Sequence, residues 1–228
     1  MNKDEVRARI SAIGVVPVIR ASSLEEAQFA VEAVRAGGIP IVEITMSVPG
    51  AIEIIRNLAK SVPDAVVGAG TVLDVEAARR CLDAGAEFLV TPGLDVKTVE
   101  FALRENRFMM AGALTPTEVI TAWQAGSDFV KVFPCAQVGG PAYIKALLGP
   151  FPGIPLVPTG GVNLHNAGEY IAVGSAALGV GAELVLKPAL KSRAHDVIRD
   201  TARKFFDAVD EARRWAPPIE SMARRGQA

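Results

Sequence analysis

Eight times between Val15 and Val180, a short apolar, β-prone run is followed by a stretch patterned as a helix. The runs are Val15-Val16-Pro17-Val18-Ile19-Arg20, Ile41-Val42-Glu43-Ile44-Thr45, Val66 to Thr71, Phe88-Leu89-Val90-Thr91, Phe108 to Gly112, Phe129-Val130-Lys131-Val132-Phe133-Pro134, Ile154 to Pro158 and Ala176 to Val180. Runs that are apolar throughout fit strands covered on both faces, as in a parallel sheet. Helix starts are marked by capping boxes at Ser23-Leu24-Glu25-Glu26 and Thr115-Pro116-Thr117-Glu118, the second with proline at the first helical position. Alternating β-then-α units give a parallel sheet, and eight of them close into a (β/α)8 TIM barrel at about 200 residues or more. An open doubly wound sheet is the competing architecture. It needs no eight evenly spaced strands, and no G-x-G-x-x-G follows the first run.

Residues 2 to 12 form an extra amphipathic helix ahead of the barrel, and a long helix is expected over roughly Arg193 to Arg214. The barrel is expected to fill residues 1–214 as one domain. A flexible tail is expected at 215–228, where Pro217-Pro218 and Arg224-Arg225-Gly226 carry no apolar periodicity.

Charge and cysteine content narrow the function. Acidic and basic residues number 25 and 24, so no net basic field draws nucleic acid or an anionic membrane. The longest apolar run, Ile171 to Ala182, holds three glycines and falls short of the ~18 residues a membrane span requires. The charged start leads into no secretory apolar core, and two cysteines are too few for a disulfide framework. A cytoplasmic protein without nucleic-acid or membrane partners is therefore expected.

Chemistry is signalled first by Lys131, which interrupts the sixth apolar run. Lysine is seldom buried unpaired. Removal from water favours the free amine, a nucleophile that forms a Schiff base with a ketone. The alternatives are a buried stem whose head reaches water, or a buried ion pair. In a barrel the site lies at the C-terminal strand ends. Arg20, Glu43, Thr71 and Thr91 stand at or near such ends. Glu43 is followed by Thr45 on the same strand and cannot simply turn into solvent. Residues two apart share a face, which groups Lys131 with Phe129 and Phe133.

Glycine-bearing loops follow strands seven and eight: Thr159-Gly160-Gly161-Val162-Asn163 and Gly179-Val180-Gly181-Ala182. Barrels often bind phosphate there through backbone amides. Cys135 is expected to be structural, and His165 and His195 lack ligand spacing, so no metal site is expected.

Val18-Ile19-Arg20, Gly37-Gly38, Val42-Glu43-Ile44-Thr45, Gly68-Ala69-Gly70-Thr71-Val72, Thr91-Pro92-Gly93, Lys131-Val132-Phe133-Pro134 and Thr159-Gly160-Gly161-Val162 resemble, in order and spacing, the KHG/KDPG aldolases. The likeness spans roughly residues 10 to 210. It implies a class I aldolase acting on 2-keto-3-deoxy-6-phosphogluconate or 4-hydroxy-2-oxoglutarate. It also implies a homotrimer, with no metal or cofactor beyond a covalent imine on Lys131. By the match, Lys131 corresponds to the Schiff-base lysine and Glu43 to the general acid/base. Arg20 and Thr71 correspond to substrate and pyruvate-carboxylate contacts. Pro92, Phe133 and Thr159 correspond to further substrate-lining positions. Gly160 and Gly161, joined by Gly181 and Ala182, correspond to the phosphate loops. Two positions depart from many members: Ser47 stands where some carry arginine, and Ala182 where many carry serine. The rival activities are cleavage of a short unphosphorylated 2-keto acid and a non-covalent phosphosugar barrel; a barrel kept for binding or assembly is the non-enzyme alternative.

Overall fold

The structure, a computed structural model, describes residues 1–215. Its strands are β1 (Val15–Ile19), β2 (Ile41–Thr45), β3 (Val66–Gly70), β4 (Phe88–Val90), β5 (Phe108–Ala113), β6 (Phe129–Val132), β7 (Leu156–Pro158) and β8 (Leu178–Val180). Each pairs in parallel with its sequence neighbour from β1 to β7, and β1 also pairs with β8. Among the described residues one bridge, Thr159 to Gly179, and a 2.9 Å hydrogen bond from the Ala176 N–H to the Leu156 carbonyl close the seam between β7 and β8. The expected eight-stranded barrel is what forms.

Helices α1 (Lys3–Ile13), α2 (Leu24–Ala36), α3 (Ala51–Ser61), α4 (Val75–Asp83), α5 (Val96–Arg104), α6 (Pro116–Gln124), α7 (Pro141–Leu148), α8 (Ala167–Ala172), α9 (Lys187–Lys191) and α10 (His195–Trp215) surround it. Among the described residues no helix is long and apolar enough to cross a membrane. The expected tail lies outside the described residues, apart from Trp215.

The local signals worked with instructive exceptions. Thr115 and Glu118 form the full reciprocal capping box, with Pro116 in the first turn of α6. At α2 the box is only half as expected. Ser23 accepts from the Glu26 N–H, but the Glu26 carboxylate accepts from the backbone N–H and hydroxyl of Ser22. Several strands stop short of their apolar runs. Arg20, Thr71, Thr91 and Phe133-Pro134 leave the sheet, and Ile154-Pro155 and Ala176-Ala177 precede it. The helix α9 was not expected; its Pro188 sits in the first turn, where the missing donor costs nothing.

The barrel interior is filled, not hollow. The register sets Glu43 beside Gly68, Gly68 beside Phe88, and Phe88 beside Phe108. The Phe88 ring occupies the space a side chain at Gly68 would need, its nearest atom 2.2 Å from an ideal Cβ. Phe108 and Phe129 meet edge to face, 5.1 Å between centroids. Burying each such ring contributes about 1.5–3 kcal/mol. These three rings form the floor on which the site stands.

The opposite end of the barrel is held by α1. Buried Asp128 accepts from the Met109 N–H at 2.9 Å and pairs with Lys3 at 3.1 Å and with Arg7. A buried carboxylate with a backbone donor and two cations is satisfied.

Candidate active site

Strand β6 carries Lys131 two residues above Phe129, so both point inward. Its side chain is all but buried, and Nζ lies 5.3 Å from the Phe133 ring centroid, within cation–π range. Its neighbours across the sheet are Gly112 and Val157. Gly112 is required there: an ideal Cβ would lie 2.4 Å from the Pro92 carbonyl carbon. That close approach lets Pro92 line the same cavity as Lys131. Thr91, a candidate by position, turns out to serve the backbone: its hydroxyl accepts from the Gly112 N–H at 2.9 Å.

Glu43 is 2% exposed, and its Oε1 has no hydrogen-bond partner among the described residues. Gly70 on β3 makes room for it; an ideal Cβ there would stand 1.7 Å from Oε1. No ion pair within 4 Å joins Glu43 to Lys131 among the described residues. The direct buried ion pair is thus not formed, and a gap separates the two groups. Burial pushes the Glu43 carboxyl above its usual range, against the opposing pull of Lys131 and Arg20. An unsatisfied buried carboxylate oxygen facing a lysine is a group held ready for something not part of the chain.

Arg20 follows β1, and Thr71 follows β3 with φ of 57°. A left-handed conformation is unfavourable for a β-branched residue, and such strain gathers at functional sites. After β7 the chain laces to the loop after β6. The Thr159 N–H donates to the Val132 carbonyl, the Cys135 N–H to Thr159 and the Ala136 N–H to Gly160. Gly160 and Gly161 take φ of 86° and 80°, and an ideal Cβ on Gly161 would come within 2.3 Å of the Ala136 Cβ. The N–H groups of Gly160, Gly161, Gly181 and Ala182 donate no hydrogen bond among the described residues. Free amides on a glycine-bearing loop suit an oxyanion.

A cavity of about 450 Å³ joins these groups. All eleven candidates line it: Lys131, Glu43, Arg20, Thr71, Pro92, Phe133, Thr159, Gly160, Gly161, Gly181 and Ala182. Ser47, singled out only as a departure, lines it too, held by a 3.0 Å hydrogen bond to Thr45. Val18, Val162, Gly179 and Glu183 also line it. Strand alternation from Arg20 marks Val18; nothing in the pattern marks Glu183, an exposed acid in a loop.

The cysteines stand apart from this chemistry. Both are buried and free. Burial pushes the Cys81 thiol up to about 11 and raises that of Cys135 as well. Neither is a thiolate at neutral pH, as the structural assignment of Cys135 requires.

Residues 6–201 match the family described as Aldolase: KDPG and KHG aldolase. The chain is 36% identical over 195 residues to the 2-dehydro-3-deoxy-phosphogluconate aldolase of Dickeya dadantii, covering 86% of this chain and 92% of the relative. It is 35% identical over 195 residues to the KHG/KDPG aldolase of Escherichia coli K12, with the same coverage. Among solved structures, the KDPG aldolase of Legionella pneumophila, with pyruvate captured at low pH as a covalent carbinolamine intermediate, is similar at TM-score 0.81 and 32% identity. It covers 86% of this chain and 95% of that one.

Proposed function

This chain belongs to the KDPG and KHG aldolase family, and from that premise we propose how it works. It is a class I aldolase, a carbon–carbon lyase that cleaves a 2-keto-3-deoxy sugar acid to pyruvate and an aldehyde. For 2-keto-3-deoxy-6-phosphogluconate the aldehyde is glyceraldehyde 3-phosphate. The observation that carries the residue assignment is the pairing of buried Lys131 with an unpartnered Glu43 oxygen across one cavity.

Lys131 attacks the C2 ketone as the free amine, giving a carbinolamine that loses water to form a protonated imine. Glu43, directly or through one water, takes the proton of the C4 hydroxyl. The C3–C4 bond then breaks, its electrons flow to the imine nitrogen, and the aldehyde leaves. The enamine of pyruvate remains on Lys131. Glu43 returns the proton to C3, and water hydrolyses the imine to free pyruvate and the lysine. An acid/base so placed contributes about 10²–10⁴-fold. Thr71 holds the keto-acid carboxylate and Arg20 contacts the substrate, while Pro92, Phe133 and Thr159 wall the reacting carbons. The free amides of Gly160, Gly161, Gly181 and Ala182 offer donors to a phosphate.

The KDPG naming of the relatives supports a phosphorylated substrate. A second substrate, 4-hydroxy-2-oxoglutarate, is favoured by two features of the same loop. Ala182 has no hydroxyl to donate, and the Glu183 carboxylate lines the cavity beside it. A homotrimer in the cytoplasm completes the proposal. The resemblance supports the trimer. Sedimentation gives the assembly state directly.

Incubation with pyruvate and borohydride, followed by intact mass and peptide mapping, tests the mechanism. The adduct is expected on Lys131 and absent from Lys131→Ala. It is expected to be absent from Lys131→Arg too, since guanidinium stays protonated. An adduct mapped to Lys145 or Lys187 would overturn the assignment.

A further inference from the structure

A second cavity, about 400 Å³, adjoins the first outside the barrel mouth. The two share Arg20 and Ser47 in their walls. Ser47 is small, so little side-chain bulk separates them at that wall. The outer cavity is lined by Arg20, Lys187 and Lys191, with Glu26 and the hydroxyl-bearing Ser22 and Ser47. Lys187 and Lys191 stand four apart on α9, one above the other on the same face. Buried Ala189 and Leu190 pin that helix to the barrel.

The charges in this pocket are unbalanced. Three cations face one carboxylate, and that carboxylate is occupied by the N–H and hydroxyl of Ser22, at 2.7 and 2.6 Å. The Ser22 hydrogen bonds, and more weakly Lys191 from a distance, hold the Glu26 carboxyl below its usual range, but none of the three cations forms an ion pair within 4 Å among the described residues. The inner cavity is different. There Arg20 and Lys131 are matched by Glu43 and Glu183, and the glycine loops supply donors but no cation. The positive field at the mouth therefore lies over the outer pocket.

We propose that this outer pocket is an anion subsite for the aldehyde half of the substrate, taking its terminal carboxylate or phosphate against Arg20, Lys187 and Lys191. The proposal rests on the aldolase assignment and adds to it. The mouth offers two berths for an anionic tail, one of backbone donors and one of charge, and Arg20 couples the second to the reacting end.

Lys187 and Lys191 are exposed, so the double variant Lys187→Gln/Lys191→Gln is expected to fold. Cleavage is followed by pyruvate release from three substrates: 2-keto-3-deoxy-6-phosphogluconate, 4-hydroxy-2-oxoglutarate, and unphosphorylated 2-keto-3-deoxygluconate, whose tail is neutral. KM is expected to rise about tenfold for an anionic tail with kcat little changed, since each exposed ion pair contributes up to about fivefold. A rise confined to the phosphorylated substrate identifies a phosphate berth; one confined to the dicarboxylate identifies a carboxylate berth. The wild-type preference is expected to shrink in about 1 M salt, where charges are screened beyond about 3 Å. An equal KM rise for the neutral tail, or no change for any substrate, overturns the subsite. Pyruvate has no tail, so its borohydride adduct reads the lysine chemistry alone. An adduct retained with unchanged KM values sinks the subsite and spares the aldolase; a wild type forming no adduct sinks both.

Discussion

Glu43 holds a carboxylate oxygen that nothing among the described residues satisfies, and its burial raises the carboxyl above its ordinary range. That shift has a sign for stability. Below the ordinary carboxylate range, about pH 4, the group is protonated whether the chain is folded or not, and it costs nothing. As pH rises, the unfolded chain releases its proton first, and the folded state loses stability until its own raised pKa is passed. Glu43→Gln is therefore expected to raise Tm at neutral pH, with the gain vanishing near pH 3. Catalysis moves the other way, because an amide exchanges no proton. The variant should still form some pyruvate imine while deuterium exchange into the pyruvate methyl group collapses. Thermal melts at the two pH values and proton NMR of pyruvate in heavy water read both effects. Normal exchange would show that another group is the base. The wild-type pH–rate profile is expected to show its acid limb above the ordinary carboxylate range, since only ionised Glu43 accepts a proton.

At the scale of one strand, β3 is shaped by what it lacks. Gly70 has no side chain, and the Glu43 carboxylate lies in the space left open. Gly70→Ala is expected to displace that carboxylate and lower kcat by about 100-fold or more, the range of a lost acid/base. Gly93→Ala is the control, because an ideal Cβ there meets nothing within 4 Å. Equal activity of the two variants would mean that Glu43 need not sit where it does. The glycines of β3 show what the sequence made legible and what it did not. Eight apolar runs and a buried lysine are periodic signals, and they marked the barrel and Lys131 without coordinates. The fit between Gly70 and Glu43 is a contact between strands, and no single run contains it. Strand ends were overextended at Thr71 and Phe133, which line the mouth and not the sheet, and at Thr91, whose hydroxyl serves the Gly112 backbone. Helix α9 was missed because its five residues are too few for periodicity. Lys187 and Lys191, brought beside Arg20 by that helix, were missed with it.

Across the whole molecule, closure is unevenly supported. Among the described residues the seam between β7 and β8 has one bridge and a hydrogen bond from the Ala176 N–H to the Leu156 carbonyl, whereas β8 pairs with β1 along its length and the last helix clasps that side from outside. Near the end of α10, Arg213 donates to the Ala12 carbonyl at 2.7 Å and to the Ala176 carbonyl at 3.1 Å. These carbonyls belong to the end of α1 and the approach to β8, so one guanidinium fork ties both flanks together. Gly14 makes this possible: an ideal Cβ there would lie 2.4 Å from Arg213 Nη2. Burial lowers the Arg213 pKa, opposed by Asp210, yet a guanidinium keeps its charge. Arg213→Ala leaves two carbonyls unmet. Each hydrogen bond to a charged group contributes roughly 1.5–3 kcal/mol, and water replaces part of it at a half-exposed site, so a net cost of about 2–3 kcal/mol is expected. In a chain of this size that lowers Tm by about 4–12 °C. Arg213→Lys is expected to recover less than half, since an ammonium lacks the planar fork that spans two acceptors. Because the clasp is remote from the mouth, both variants should still trap pyruvate on Lys131 at 25 °C. An unchanged Tm in Arg213→Ala would assign the clasp instead to the apolar face of α10, where Ile198, Ala202, Phe205 and Val209 are buried.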